Sequence, residues 1–152
     1  MTRQQALFWW IVVSAALMVI GSFGPWAKVL GVSISGTDGG NDGWFVIAIA
    51  AVAGAVFLWQ REVMQAGYAA IAGGVLGASI AIYDRTNIED AADETGRLGE
   101  LVEVGWGLNL AMVASISLAI AGVVWIVKSE AESDADSQAG EPVEPVATDE
   151  EF

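Results

Sequence analysis

Four long apolar runs divide the chain, and polar residues close each of them. They cover residues 6–23, 43–59, 66–83 and 104–127 and contain no charged side chain. At about 1.5 Å of rise per residue, helices of this length approach the ~30 Å hydrocarbon thickness of a bilayer. The pattern predicts an all-α membrane protein in which residues 1–128 form a four-transmembrane-helix bundle.

The first run could also belong to a cleaved signal peptide, whose apolar part is usually about 7–15 residues long. Residues 6–23 exceed that length, carry Trp9 and Trp10 near their start, and end before Gly24-Pro25-Trp26. These features favour an uncleaved first helix.

Tryptophan marks the ends of the apolar runs. Indole has an apolar body and one hydrogen-bond donor, so tryptophans concentrate at the level of the lipid headgroups. We therefore expect all seven tryptophans to anchor the helices at the membrane interfaces: Trp9, Trp10, Trp26, Trp44, Trp59, Trp106 and Trp125.

The loop between the first two runs contains the stretch GVSISGTDGGNDGW, residues 31–44. Residues 32–35 alternate apolar and polar side chains, as a short strand does, and the glycines and aspartates after them suit a turn. Asp38 and Asp42 are weak candidates for a cation site. Their spacing differs from that of a calcium loop, and no glutamate follows at the bidentate position. We expect a short β-like outer loop and a structural turn rather than a metal site.

The loop between the third and fourth runs is strongly acidic. Asn87 can cap a short helix that lies on the outer surface, with a narrow apolar stripe formed by Leu98, Leu101 and Val102. Asp84 and Glu103, at the outer ends of the adjoining runs, are expected to reach water.

Charge is distributed unevenly along the chain. The apolar fraction is 55%, yet the net charge is −13, and residues 129–152 hold nine acidic residues and no basic one. This segment has few large apolar side chains, so it cannot bury enough surface to offset the entropy of ordering. We expect a disordered acidic tail there. The lack of a basic patch also argues against binding to nucleic acid.

Candidate chemistry is sparse. Cysteine and histidine are both absent, which excludes disulfides, thiol catalysis, Cys/His zinc sites and histidine-dependent triads. The only strongly polar residue inside the four runs is Asn109, which is expected to hydrogen-bond another helix rather than a substrate. We predict no catalytic residue, cofactor, metal or small-molecule substrate, and therefore no enzyme.

The third run carries small residues at four-residue spacing. Gly73, Gly77 and Ala81 share one helix face, and the neighbouring face holds Ala66, Ala70, Gly74 and Ala78. Small residues let helix backbones approach closely in lipid. The row predicts packing within the bundle, with homo-oligomerisation or docking on a larger membrane protein as the alternative.

Orientation depends on the basic residues. Those on the side of the termini directly flank apolar runs, namely Arg3, Arg61 and Lys128. The other side holds the same number of basic residues, Lys28, Arg85 and Arg97, but Arg85 and Arg97 lie among acidic residues. The positive-inside tendency therefore favours a multi-pass protein of the cell membrane with both termini, and the acidic tail, in the cytoplasm.

Three motifs resemble a set of small four-span membrane proteins of actinobacteria and their phages. They are GSFGPW at residues 21–26, SGTDGGNDGW at residues 35–44 and VGWGLNL at residues 104–110. Asn41 adds one residue to the turn found in that set. The resemblance covers about residues 6–127 and implies the four-helix fold without a function. The layout is also similar to that of claudins in shape only, because the cysteines of the claudin disulfide are absent.

These features together favour a non-enzymatic integral membrane protein that acts through its outer loops and helix faces in the cell envelope. One alternative is a phage or prophage membrane protein for superinfection exclusion or holin-like lysis. Another is a small accessory subunit of a channel or transporter, which the lack of charged groups inside the runs disfavours.

Overall fold

The computed structural model describes residues 2–38, 42–59, 64–94, 99 and 101–139. The elements in chain order are α1 (Arg3–Phe23), β1 (Pro25–Val29), β2 (Val32–Ser35), α2 (Asp42–Trp59), α3 (Met64–Glu94), β3 (Val102–Val104) and α4 (Trp106–Ala139). All four helices are long and apolar enough to cross a membrane. The predicted four-helix architecture and the β-like character of the first loop are therefore confirmed.

The helices run alternately up and down, and each packs against the next, with α4 returning to α1. The centre of the bundle is filled by large apolar side chains, among them Ile11, Met18, Phe57 and Leu118. Buried Ser22 and Ser115 donate their hydroxyls to carbonyls one turn earlier in their own helices, at 2.9 and 2.7 Å. These serines therefore add no unpaired donor to the apolar centre.

Local sequence signals set both ends of α1. The Thr2 hydroxyl accepts the backbone N–H of Gln5, and the Gln5 side chain accepts that of Thr2, which forms a capping box. At the other end, Pro25 disfavours helical dihedrals at Gly24, and the chain enters the first strand in extended form.

The strands form one small antiparallel sheet in the order β2-β1-β3. On one face, Ala27 lies between Ile34 and Val104, and Val29 lies between Val32 and Val102. On the opposite face, Lys28 lies between Ser33 and Glu103. The alternation therefore produces one apolar and one polar face.

The loop between α3 and α4 differs from the predicted separate surface helix. The third helix continues without a break to Glu94, because no glycine or proline interrupts residues 84–94 and an ion pair joins Arg85 to Glu89 at 2.9 Å. Val102, expected in a helical stripe, belongs to β3, and Leu101 is exposed beside it. Leu98 lies outside the described residues.

The start of the acidic tail also differs from its prediction. Residues 129–139 continue α4, and the side chain of Gln4 donates a hydrogen bond to Glu132 at 3.1 Å. Extending an existing helix avoids the cost of nucleation, so alanine and glutamate suffice to prolong it. Residues 140–152 lie outside the described part of the chain.

Glycine brings the backbones of α3 and α4 together. A Cβ atom on Gly74 would lie 2.5 Å from the carbonyl oxygen of Ser115, and one on Gly122 would lie 2.8 Å from that of Gly67. Both positions lack room for any side chain. Close backbone approach is therefore the basis of this helix pair.

Replacing Gly74 with alanine is expected to lower the free energy of unfolding by about 1–3 kcal/mol, because the new methyl group overpacks the α3–α4 contact. Gly54 is the matched control, since a Cβ atom there would meet no atom within 4 Å. Gly54→Ala should be neutral or stabilising by up to ~1 kcal/mol through helix propensity. Thermal unfolding of the purified protein in a neutral detergent measures both. Equal effects would contradict the proposed close contact.

Candidate functional site at the sheet end of the bundle

We call the three strands, the first turn of α2 and residues 84–94 of α3 the sheet end. Trp26 holds this region to the bundle. Its side chain is 6% exposed and lies against Gly36, and its indole N–H donates to the carbonyl of Gly21 at 3.0 Å. Its own carbonyl accepts the N–H of Gly105 at 2.7 Å. Trp26 therefore connects the end of α1 to the loop between α1 and α2 and to the loop between α3 and α4.

The β1–β2 hairpin turns at Leu30 and Gly31, which have φ angles of 52° and 81°. A two-residue turn with positive φ at both positions matches the twist of the adjoining strands. Glycine adopts such angles freely, whereas leucine is strained there by about 1–2 kcal/mol. Leu30 is 68% exposed, so neither local preference nor burial accounts for leucine at this tip.

Two carboxyl groups meet where α2 and α3 enter the sheet end. Asp84 is only 9% exposed, and its carboxyl faces that of Asp42. Within the described part of the chain, Asp84 Oδ2 is buried without a hydrogen-bond partner. Ionised carboxylates can only accept hydrogen bonds, so two of them attract each other only through a proton or another cation. The expectation that Asp84 reaches water is wrong, because the strands cover it.

A cavity of about 280 Å³ adjoins this acid pair. Ala27 and Ile34 line it from the apolar face of the sheet, and Asn87 and Ile88 line it from α3. Asp42 and Asp84 supply its two acidic groups. The site therefore combines apolar walls with two adjacent acidic groups.

The two aspartates proposed from the sequence as a weak cation site have separate roles. The Asp38 carboxylate accepts the backbone N–H of Ser35 at 3.3 Å, and its own N–H donates to the Ser35 carbonyl. These two hydrogen bonds close a turn, a role that asparagine and aspartate side chains commonly have. Asp42 lies instead beside Asp84. Among the described residues, no cluster of three acidic side chains could hold a metal ion.

The predicted membrane anchors divide into two groups. The side chains of Trp9, Trp44, Trp59 and Trp106 are exposed, and Trp59 is 89% so. The indole nitrogens of Trp26 and Trp125 are buried inside the protein. Trp10 is 40% exposed, and its indole N–H donates to the Ser117 hydroxyl at 2.8 Å.

The small residues of α3 and Asn109 all face neighbouring helices. A Cβ on Gly73 would meet Ala53 of α2, one on Gly77 would meet Met18 and Ser115, and Ala81 is fully buried. The Asn109 side chain accepts a hydrogen bond from Arg85 at 3.2 Å and donates to the Gly105 carbonyl at 3.4 Å. All four of these residues therefore make contacts within this chain.

Sequence reasoning missed the acid pair because 42 residues separate Asp42 from Asp84. Asp42 directly precedes the second apolar run, and Asp84 directly follows the third. Because consecutive membrane helices are antiparallel, the sequence pattern already indicated that these two ends lie close together. It contained no information about burial, which depends on the sheet that covers Asp84.

Comparison with protein-family models, with curated proteins and with solved structures gives no match. The resemblance to small four-span proteins of actinobacteria and their phages stays a prediction from the motifs.

Asp84→Asn is expected to raise the free energy of unfolding by about 1 kcal/mol. The neutral amide removes the like-charge contact and can donate a hydrogen bond to Asp42. Asp90→Asn removes the same charge from an exposed site on the same helix and should be neutral. Thermal unfolding in neutral detergent at pH 7 compares them. If Asp84→Asn lowered the free energy of unfolding and Asp90→Asn did not, the prediction would be wrong, because the carboxyl group at position 84 would then be stabilising.

Proposed function

We propose that this chain is a multi-pass membrane protein that works without catalysis, by binding another protein of the cell envelope through its sheet end. Both termini would lie in the cytoplasm and the sheet end outside. The four long apolar helices support the membrane location. The placement of basic residues in the segments that flank and join them supports the orientation.

The observation that carries the binding role is the exposed hairpin tip. Leu30 and Val32 are 68% and 64% exposed, and Leu101, whose carbonyl accepts the N–H of Leu30, is exposed beside them. Clustered apolar side chains on a charged surface are typical of interaction sites. The unfavourable φ angle of Leu30 adds a second argument, since residues held in strained conformations concentrate at functional sites.

The centre of the bundle supports binding over conduction. Ile11, Met18 and Phe57 are almost fully buried and fill the space between the helices. Ion and proton pathways need polar or ionisable groups along their length. In the described helices the buried serines bond to their own backbones or, like Ser14, to another serine. One copy of the chain therefore offers no continuous polar path.

Leu30→Asn separates folding from partner binding. Asparagine tolerates the left-handed region, so the free energy of unfolding should rise by about 1 kcal/mol. A photo-cross-linking amino acid placed at position 32 in cells should yield an adduct with one discrete protein, and Leu30→Asn should reduce that adduct severalfold. Position 33, on the opposite face of the same strand, is the control and should yield no such adduct. Adducts with lipid alone, or with a second copy of the chain, would contradict the proposal.

Orientation can be measured by cysteine labelling, because the chain has no native cysteine. In intact cells, a membrane-impermeant thiol reagent should label Ser33→Cys at the sheet end. Glu130→Cys, on the part of α4 beyond the apolar run, should be labelled only after permeabilisation. The reverse pattern would invert the proposed topology.

A further inference from the structure

The cavity between the sheet and the third helix is an open groove, and we call it the sheet groove. Its volume is about 280 Å³. Trp26, which lines it, is 6% exposed, whereas Ile34, on the same cavity, is 39% exposed. Asn87 and Ile88 line the groove from α3, and Asn87 is exposed. The groove therefore reaches from the interior of the sheet end to its surface.

The sheet groove continues the apolar surface of the hairpin tip. Val32 and Ile34 are separated by one residue of β2, so their side chains lie on the same face of the sheet. Val32 belongs to the exposed tip, and Ile34 lines the groove. One strand thus leads from the tip to the groove, and a protein that contacts the tip has the groove within reach.

Acidic residues border the sheet groove on three segments of the chain. Asp42 lines it from the start of α2. In the turn after β2, the Asp38 carboxylate accepts the backbone N–H of Ser35, which is itself a lining residue. On α3, Glu94 comes seven residues after Asn87 and therefore lies on the same side of the helix. The apolar groove thus has an acidic rim.

The basic residues of the sheet end are directed away from this rim. Lys28 lies on the polar face of the sheet, opposite to the face that holds Ile34. Arg85 contacts Glu89 at 2.9 Å and Asn109 of α4 at 3.2 Å. The sheet end, as far as the structure describes it, holds no further basic residue. Charge complementarity therefore requires positive charge on whatever occupies the groove.

We propose that the sheet groove receives a large apolar side chain from a positively charged segment of the protein that the hairpin tip binds. This inference rests on the protein-binding role proposed above and specifies the chemistry of the partner. At ~30 Å³ for each water-sized group, the volume holds roughly nine such groups, enough for one or two large apolar side chains. Lysine or arginine residues beside that side chain lie near Asp38, Asp42 and Glu94.

Other occupants match the sheet groove less well. An acyl chain belongs to the membrane core, whereas Asn87 and Ile88 come after the apolar run of α3. The acidic rim also repels anionic lipid headgroups. A second copy of the chain that docked through its own sheet end would bring the same acidic residues to the contact, and like charges placed opposite each other are unfavourable.

Photo-cross-linking in cells that produce the full-length chain tests whether the groove is occupied. A photo-cross-linking amino acid at position 87 should yield an adduct with the same protein that position 32 captures. Position 86 is the control and should yield none, because at 3.6 residues per turn it lies on the side of α3 opposite to the groove. Mass spectrometry of the adduct from position 87 should identify a partner segment with a large apolar residue and a net positive charge.

Charge variants test the complementarity. With the cross-linking amino acid at position 32, Asn87→Lys should reduce the adduct by about fivefold or more, because it places a positive charge beside the basic segment. Thr86→Lys adds the same charge on the opposite side of the helix and should leave the yield within about twofold, since a distant exposed charge is screened. Asn87→Asp should preserve or raise the yield.

Three results would overturn the proposal. The first is an adduct from position 32 without one from position 87, or equal adducts from positions 86 and 87. The second is capture from position 87 of a lipid, a second copy of the chain, or a segment that is acidic or lacks a large apolar residue. The third is an equal effect of Asn87→Lys and Thr86→Lys. Thermal unfolding in neutral detergent verifies that each variant is folded. If position 32 captures no protein, the protein-binding role itself fails, so the two failures are distinguishable.

Discussion

Direct contact between helix backbones is the constraint on which this structure depends. Gly74 and Gly122 let α3 and α4 approach until their main chains touch, and Gly21 and Gly107 do the same for α1 and α4. In a bilayer the lipid tails are as apolar as the side chains, so burial of apolar surface does not drive helices together. Dispersion contacts between closely packed backbones supply the attraction instead. The position of α4 relative to its neighbours follows from these contacts.

The sheet end depends on that arrangement. Because α1, α3 and α4 are held at fixed spacing, the strands that continue from them pair with one another, and Trp26 closes the junction beneath the sheet. Pairing places the apolar face of the sheet over residues 84–91 of α3, which encloses a carboxyl that would otherwise be solvated. The cavity and its acid pair are thus consequences of helix packing rather than of any local motif.

The exposed hairpin tip and the acid cavity occupy one end of the molecule but have different chemistry. The tip offers exposed apolar side chains on a two-residue turn, a feature typical of interaction sites. The cavity instead places two neighbouring acidic groups beside apolar walls. Ile34 belongs to the hairpin and also lines the cavity, so the two sites share one strand. The described core of the bundle, by contrast, is apolar apart from a few serines whose hydroxyls form hydrogen bonds within it.

The sequence alone determined the number of helices, their approximate limits and the strand character of residues 32–35, because length, apolarity and period-two alternation are local properties. It misplaced the ends of α3 and α4, since helix continuation past an apolar run depends on neighbouring residues rather than on hydropathy. Only the tertiary structure decided that Trp26 is buried, that Leu30 is strained and exposed, and that Asp84 faces Asp42. Each of these depends on which distant segments pack together, and that information is absent from any single stretch of sequence.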